Sequence, residues 1–211
     1  MFEIEYKGAN SVIISTKKST LVTDPKLSLV GLKDVSTKDA VELATEARFA
    51  LNSDVARLTI ESPGEYGVAE FDIKGIAAQR HLDSESEPLI ATIYRVEVNE
   101  TRIAIIGNIY EKLSEVQLEE LGLIDILIIP VGGNGYTLDA TGAATITRSI
   151  DPKVVIPIHY ADTGINYEVA QDTLETFTKE LGAPVEEMAK FKLKQAAPLP
   201  AVLTTIVLTR A

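Results

Sequence analysis

The 211-residue chain is expected to fold as an α/β protein in which β-sheets are covered by helices. Three observations predict this. Short runs with strand-like alternation fill the first half; buried strands alternate with helices in the second half; and the helices of that half carry cap residues at their starts and stops.

The elements follow in order. Phe2 to Tyr6 alternates apolar with charged residues, and Val12 to Ile14 resumes after a turn containing Gly8. Thr20 to Asp24 is a third strand, stopped by Pro25. Thr37 to Leu51 has helix-forming composition and reads as helix or irregular loop. Leu58–Glu61, Phe71–Ala77 and Ile90–Val98 are further strands, with Ser62–Gly67 as a turn and Asp83–Pro88 as a solvated loop. In the second half, Arg102–Gly107, Asp125–Pro130, Lys153–His159 and Leu203–Leu208 are apolar enough to be buried strands. Ser114 with Gln117 forms a capping box for a helix ended by Gly122. Asp139 caps a second helix running to about Ile150, and Asn166 is expected to cap a long last one with Ala170, Leu174, Phe177 and Leu181 on its buried face. No repeat or linker divides the chain, so one domain over residues 1–211 is expected.

Composition excludes several functions. An apolar fraction of 45% with 24% charged residues is that of a globular protein. No run approaches the roughly 18–20 apolar residues of a membrane-spanning helix. The opening Met-Phe-Glu-Ile-Glu-Tyr has neither a basic segment nor an apolar signal core, which points to a cytoplasmic protein without a membrane partner. Cysteine is absent, so disulfides, thiolate metal sites and cysteine nucleophiles are excluded together. A formal charge of −11, with Lys17-Lys18 as the longest basic run, makes nucleic acid an unfavourable partner.

Ile4–Gly8, Val22–Pro25, Ile60–Tyr66, Thr92–Tyr94, Leu118–Gly122, Ile128–Gly133 and Val155–Tyr160 follow one another along nearly the whole chain. In that order they resemble the metallo-β-lactamase superfamily of metal-dependent hydrolases, in the branch related to ascorbate-6-phosphate lactonase. The resemblance implies a four-layer αββα sandwich of two sheets flanked by helices. It also implies a metal cluster at the sheet rim, held by a His-x-His-x-Asp-His loop and by later histidine and aspartate residues that together acidify a water.

In that register the ligand loop falls on Thr45-Glu-Ala-Arg-Phe-Ala50. Thr45 and Ala47 stand at the first two histidine positions, and Phe49 and Ala50 replace the Asp-His pair. Arg80 takes the place of another histidine, with His81 next to it; Asn108 replaces the metal-bridging acid; and Gly8-Ala9-Asn10 replaces a Gly-His-Ser. Only His159 is kept. One imidazole among neutral oxygens gives no tight zinc site.

The implied product is a pseudoenzyme without metal or cofactor, with a vestigial pocket around Asp24, Thr45, Ala47, Phe49, Arg80, Asn108 and His159. It would act by binding a small molecule or a protein partner, and a homo-oligomer is a further expectation. The alternative is a lactone or phosphoester hydrolase holding one zinc or manganese ion on His81, Asp83 and His159. Blander readings stand beside these. His159 can be a hydrogen-bonded histidine at a strand end, and Asp24 a structural acceptor of loop amides. Tyr110, Tyr136 and Tyr160 either rim the pocket or simply pack, while Gly132–Gly135 reads as a backbone turn ahead of an anion site.

Overall fold

A computed structural model describes residues 1–83, 88–194 and 197–211. The strands of the first half are β1 (Phe2–Gly8), β2 (Ser11–Ser15), β3 (Thr20–Thr23), β4 (Val41–Leu43), β5 (Leu58–Ile60), β6 (Gly64–Val68), β7 (Phe71–Ala78), β8 (Ala91–Val98) and β9 (Thr101–Ile105). There follow α1 (Glu115–Leu121), β10 (Ile126–Pro130), α2 (Ala140–Ile150), β11 (Val154–Ile158), α3 (Leu174–Leu181), β12 (Val185–Met188), β13 (Phe191–Leu193) and β14 (Thr204–Leu208).

Two mixed sheets result. One has six strands in the order β13-β1-β2-β3-β4-β5, the other eight in the order β12-β14-β11-β10-β9-β8-β7-β6. Side-chain alternation explains why they stack. Ile4, Tyr6, Val12 and Ile14 from one sheet meet Tyr94, Val96, Ile126, Ile128 and Ile156 from the other in a single apolar cluster. The opposite face of the eight-stranded sheet presents Ile93, Ala104, Leu127, Ile129 and Val155 to Leu121, Ala143, Ile146 and Phe177 of the three α-helices. Strands buried on both faces need unbroken apolar runs, and Ile126-Leu-Ile-Ile129 is one. On β1 the alternate positions Glu3 and Glu5 instead form ion pairs with Lys190 and Lys192.

The caps of α1 and α2 are those expected. Gln117 N–H donates to the Ser114 hydroxyl while Gln117 Oε1 accepts from Ser114 N–H, and Asp139 Oδ1 accepts from Gly142 N–H at 2.7 Å.

Three expectations need correction. Thr37–Leu51 is neither helix nor plain loop, because β4 lies inside it, parallel to both β3 and β5. Pairing on both sides overrides helix propensity there. The fully buried Glu42 then ties down the following chain, accepting hydrogen bonds from the amides of Leu51 (2.5 Å) and Asn52 (3.3 Å).

The Ser62–Gly67 turn is shorter than expected, since β6 already begins at Gly64 and pairs with β7. The last helix starts only at Leu174, with Thr173 at its N-cap, so Asn166 and Ala170 lie outside it. The short strands β12 and β13 had no periodicity long enough to register. Most of the expected Asp83–Pro88 loop, residues 84–87, lies outside the described residues. Among the described residues no helix is long and apolar enough to cross a membrane.

Candidate functional site

Strands β3, β4, β9 and β11 all run toward one rim of the sandwich, and the residues just beyond their carboxyl ends meet there. Asp24 follows β3, Thr45 follows β4, Asn108 follows β9 and His159 follows β11; Ala9 and Asn10 join from the β1–β2 turn. Carboxyl ends of parallel strands are the usual place for a ligand crevice, since the strands fix positions that the following loops only borrow.

Three non-glycine residues at this rim adopt positive φ: Ala9 (46°), Asp24 (45°) and His159 (49°). Such conformations cost free energy in L-residues and concentrate at sites the fold over-determines. Here they are held by backbone bonds, His159 N–H to Ala9 carbonyl at 3.0 Å and Asp24 N–H to Leu43 carbonyl at 2.8 Å. Two glycines allow the close approach. A Cβ on Gly107 would lie 2.5 Å from Thr45 Oγ1, and one on Gly132 would lie 2.4 Å from the His159 carbonyl oxygen.

The polar groups form two small networks. Asp24, 3% exposed, accepts from Thr45 N–H at 2.7 Å and from Thr45 Oγ1 at 2.6 Å. Burial outweighs these two hydrogen bonds and pushes the Asp24 carboxyl up to about 7. In the second network, His159 Nδ1 lies 2.9 Å from Asn10 Oδ1, and Asn10 Nδ2 donates to Asn108 Oδ1 at 3.1 Å. His159 is buried between Tyr167 (ring centroids 4.7 Å apart) and Tyr136 (5.7 Å). Burial, helped by the Arg48 charge, lowers its imidazole to about 3, so the ring is neutral. Its Nε2 and the Asn108 Nδ2 are buried without a hydrogen-bond partner among the described residues.

These groups open into a pocket of about 100 Å³ lined by Asn10, Asp24, Phe49, Tyr136, His159 and Tyr167, with Leu27, Leu29 and Val30 on an apolar side and Lys26, Arg48 and Glu168 as its charged residues. Arg48 lies over the Phe49 ring (4.6 Å) and is paired with Glu46 at 2.9 Å and Glu168 at 4.0 Å.

The structure thus brings together Asp24, Thr45, Asn108 and His159, with Phe49 in the pocket wall. It does not bring in the other two expected pocket residues. Ala47 is solvent-exposed on a short 3₁₀ turn. Arg80 is not part of the pocket lining; its guanidinium chelates Asp83 (Nε to Oδ2 2.9 Å, Nη2 to Oδ1 2.5 Å) and reaches Glu46 at 3.8 Å. Tyr136 rims the pocket, whereas Tyr160 packs on Tyr6 and Tyr110 borders a separate depression. Gly132–Gly135 is a backbone turn, with Gly133 N–H on Leu138 carbonyl and Asp172 N–H on Gly132 carbonyl.

Among the described residues no three His, Cys, Asp or Glu side chains converge as a metal-binding group. His81, Asp83 and His159 are therefore not one site: His81 Nδ1 lies 3.2 Å from Ile109 carbonyl and Asp83 is occupied by Arg80. Each Asp24 oxygen accepts one hydrogen bond from Thr45, and Asn108 Oδ1 accepts one from Asn10.

Asn10, Lys26, Arg48 and Tyr167 were not among the expected pocket residues. Their sequence signal was slight. Asn10 stood out only as a departure from a Gly-His-Ser, and Lys26 and Tyr167 lie in loops without periodicity.

A family model described as Beta-lactamase superfamily domain matches residues 3–159. Among curated proteins, a UPF0173 protein of Pyrococcus furiosus is 34% identical over 80 residues, covering 38% of this chain and 34% of that one. A UPF0173 metal-dependent hydrolase of Natranaerobius thermophilus is 46% identical over 43 residues, covering 20% and 19%. The chain therefore matches about a third of the length of the first of these relatives and about a fifth of the second. Among solved structures, a candidate Zn-dependent hydrolase of the metallo-beta-lactamase superfamily from Thermotoga maritima superposes with a TM-score of 0.77 over 99% of both chains at 21% identity. Igni18, a metallo hydrolase from Ignicoccus hospitalis, gives 0.66 at 17% identity, over 92% of this chain and 99% of that one. At these identities the likeness is one of fold.

Proposed function

Since the chain belongs to the beta-lactamase superfamily, we propose that it is a member whose metal site has degenerated and which works by binding a small ligand, or a partner that inserts one, in the pocket around His159. The observation that carries this reading is the state of the rim itself. Where a metal would need converging anionic and imidazole donors, the described residues of the rim offer one histidine, His159, an Asn10–Asn108 amide pair and one carboxyl, Asp24, that accepts from Thr45. A metal held by one imidazole is not retained tightly.

The rim is nevertheless well built. Positive-φ residues and close glycine contacts persist around a buried pocket, which fits binding better than decay. Fold alone does not assign an activity, and hydrolase is the name of the relatives.

Elemental analysis of the purified protein, with melting curves before and after chelator treatment, tests the reading. The expected result is far less than one metal per chain and the same Tm in both, because a lost metal cannot stabilise the native state. A full equivalent of zinc or manganese, with a Tm that falls on chelation, would favour a hydrolase acting on a lactone or phosphoester through one remodelled metal.

A further inference from the structure

The loop between β10 and α2 carries a reactive pair that the pocket does not use. Of the six asparagines in the chain, Asn134 alone is followed by glycine; the others precede Ser, Ser, Glu, Ile and Tyr. Asn134 and Gly135 are both exposed. They are the central pair of a turn, at φ 56° and 74°, closed by Tyr136 N–H on the Gly133 carbonyl at 3.3 Å. Asn-Gly favours such primed turns because both residues must take positive φ.

The pair places an electrophile beside a nucleophile. The carbonyl carbon of the Asn134 side chain and the backbone nitrogen of Gly135 can close a cyclic imide. Three features leave that closure open. Gly135 N–H donates to no acceptor among the described residues. Nothing lies within 4 Å of where a Gly135 Cβ would be, so no side chain shields the nitrogen. The Asn134 amide makes only long contacts, Nδ2 to the Gly132 carbonyl at 3.5 Å and to Asp172 Oδ1 at 3.4 Å.

We propose that Asn134 is a site of spontaneous deamidation, and that the carboxylate formed there repels Asp172 and loosens the loop packed behind His159. The Gly135 nitrogen bonds to the Asn134 side-chain carbonyl carbon, and the amide –NH2 leaves with the Gly135 proton as ammonia. One water then opens the imide. Attack at the former side-chain carbonyl gives aspartate. Attack at the backbone carbonyl gives isoaspartate, with an extra methylene in the main chain. Either product is an acid where an amide stood, and no oxidant or reductant takes part.

The new anion faces Asp172 in place of a donor. Asp172 N–H in turn donates to the Gly132 carbonyl at 2.7 Å, and Gly132 packs against the His159 carbonyl. Tyr136, the residue after the pair, stands in the pocket wall. The inference goes beyond the proposed function and holds whether or not the pocket takes a metal.

The native protein and a peptide spanning 131–138 are incubated side by side in warm, mildly alkaline buffer. Peptide mass spectrometry reads the acid formed at each asparagine. Asn134 should convert ahead of the other five, at a rate within about tenfold of the peptide's, since an exposed turn opens readily. A slower rate, or another asparagine converting first, would show that the fold protects the site and would overturn the proposal.

Asn134→Asp reads the consequence directly. Its Tm should fall by about 1–3 °C, the scale of one exposed charge interaction in a chain of this size, and amide exchange should quicken across 132–136. In an Asp172→Asn background the same substitution should leave Tm unchanged. No fall in the parent, or an equal fall in both backgrounds, would refute the repulsion by Asp172.

Discussion

Asn10 Oδ1 sits 2.9 Å from His159 Nδ1, and the same amide donates to Asn108 at 3.1 Å, so one asparagine from the β1–β2 turn fixes both the ring and the residue after β9. Asn10 is 4% exposed. Replacing it by Leu leaves the Nδ1 proton and the Asn108 oxygen without partners in a buried setting. Asn10→Leu is expected to lose about 1–3 kcal/mol in urea denaturation. A loss below a few tenths would show that the amide relay is incidental.

Gly132 makes a different contribution. A methyl group there would meet the His159 carbonyl oxygen at 2.4 Å and the Gln171 side chain closer still. The glutamine can swing away, but the backbone carbonyl cannot. Gly132→Ala is expected to destabilise the fold by about 1–3 kcal/mol and to move His159 resonances more than those of the distant α1. Unperturbed His159 shifts would contradict the contact.

The pH dependence follows from two groups of opposite sign. Asp24 has its folded value raised from 3.8 to about 7, so its contribution is full below about pH 4 and is lost as pH rises to about 7. His159 is lowered from 6.5 to about 3; its contribution is full above about pH 6.5 and is lost as pH falls toward 3. The two slopes oppose each other between about pH 4 and 6.5. Asp24→Asn removes only the first. Its stability relative to the parent should therefore rise between pH 4 and 7, by on the order of 4 kcal/mol, and stay level above 7. Denaturant titrations at pH 4 to 8 check this, and a level difference across that range would contradict a buried neutral Asp24.

Helix α3 depends on a single fully buried side chain, Phe177. Phe177→Ala should cost about 3–5 kcal/mol. Because α3 is short and its other residues reach solvent, amide exchange across Leu174–Leu181 should accelerate more than in β10. Uniform acceleration would instead mean that α3 unfolds only with the whole fold.

Much of the fold was legible because its signals are local. The Ser114–Gln117 capping box, the Asp139 cap and the unbroken apolar runs of β10 and β11 each state their own structure in a few residues. What failed depended on distant partners. Val41–Leu43 is a strand because β3 and β5 flank it, although its neighbours favour helix. The residues after Asn166 had an amphipathic pattern, yet the segment before Leu174 folds back so that Asp172 N–H reaches the Gly132 carbonyl and Asn166 N–H the Val30 carbonyl. The same limit applies to the site. Asp24, Asn108 and His159 lie at or just beyond strand ends, where the register of the family resemblance set them. Arg80 was expected to face inward, and its bond to Asp83, three residues away, holds it elsewhere. Lys26 and Tyr167 come from loops whose course is set only by the finished fold.

On the proposed reading, the rim around His159 holds no metal. The most direct test is a zinc titration of chelator-treated protein by calorimetry, run beside His159→Ala. The expected result is no binding above background and no difference between the two proteins. About one equivalent bound tightly and lost in His159→Ala would contradict it.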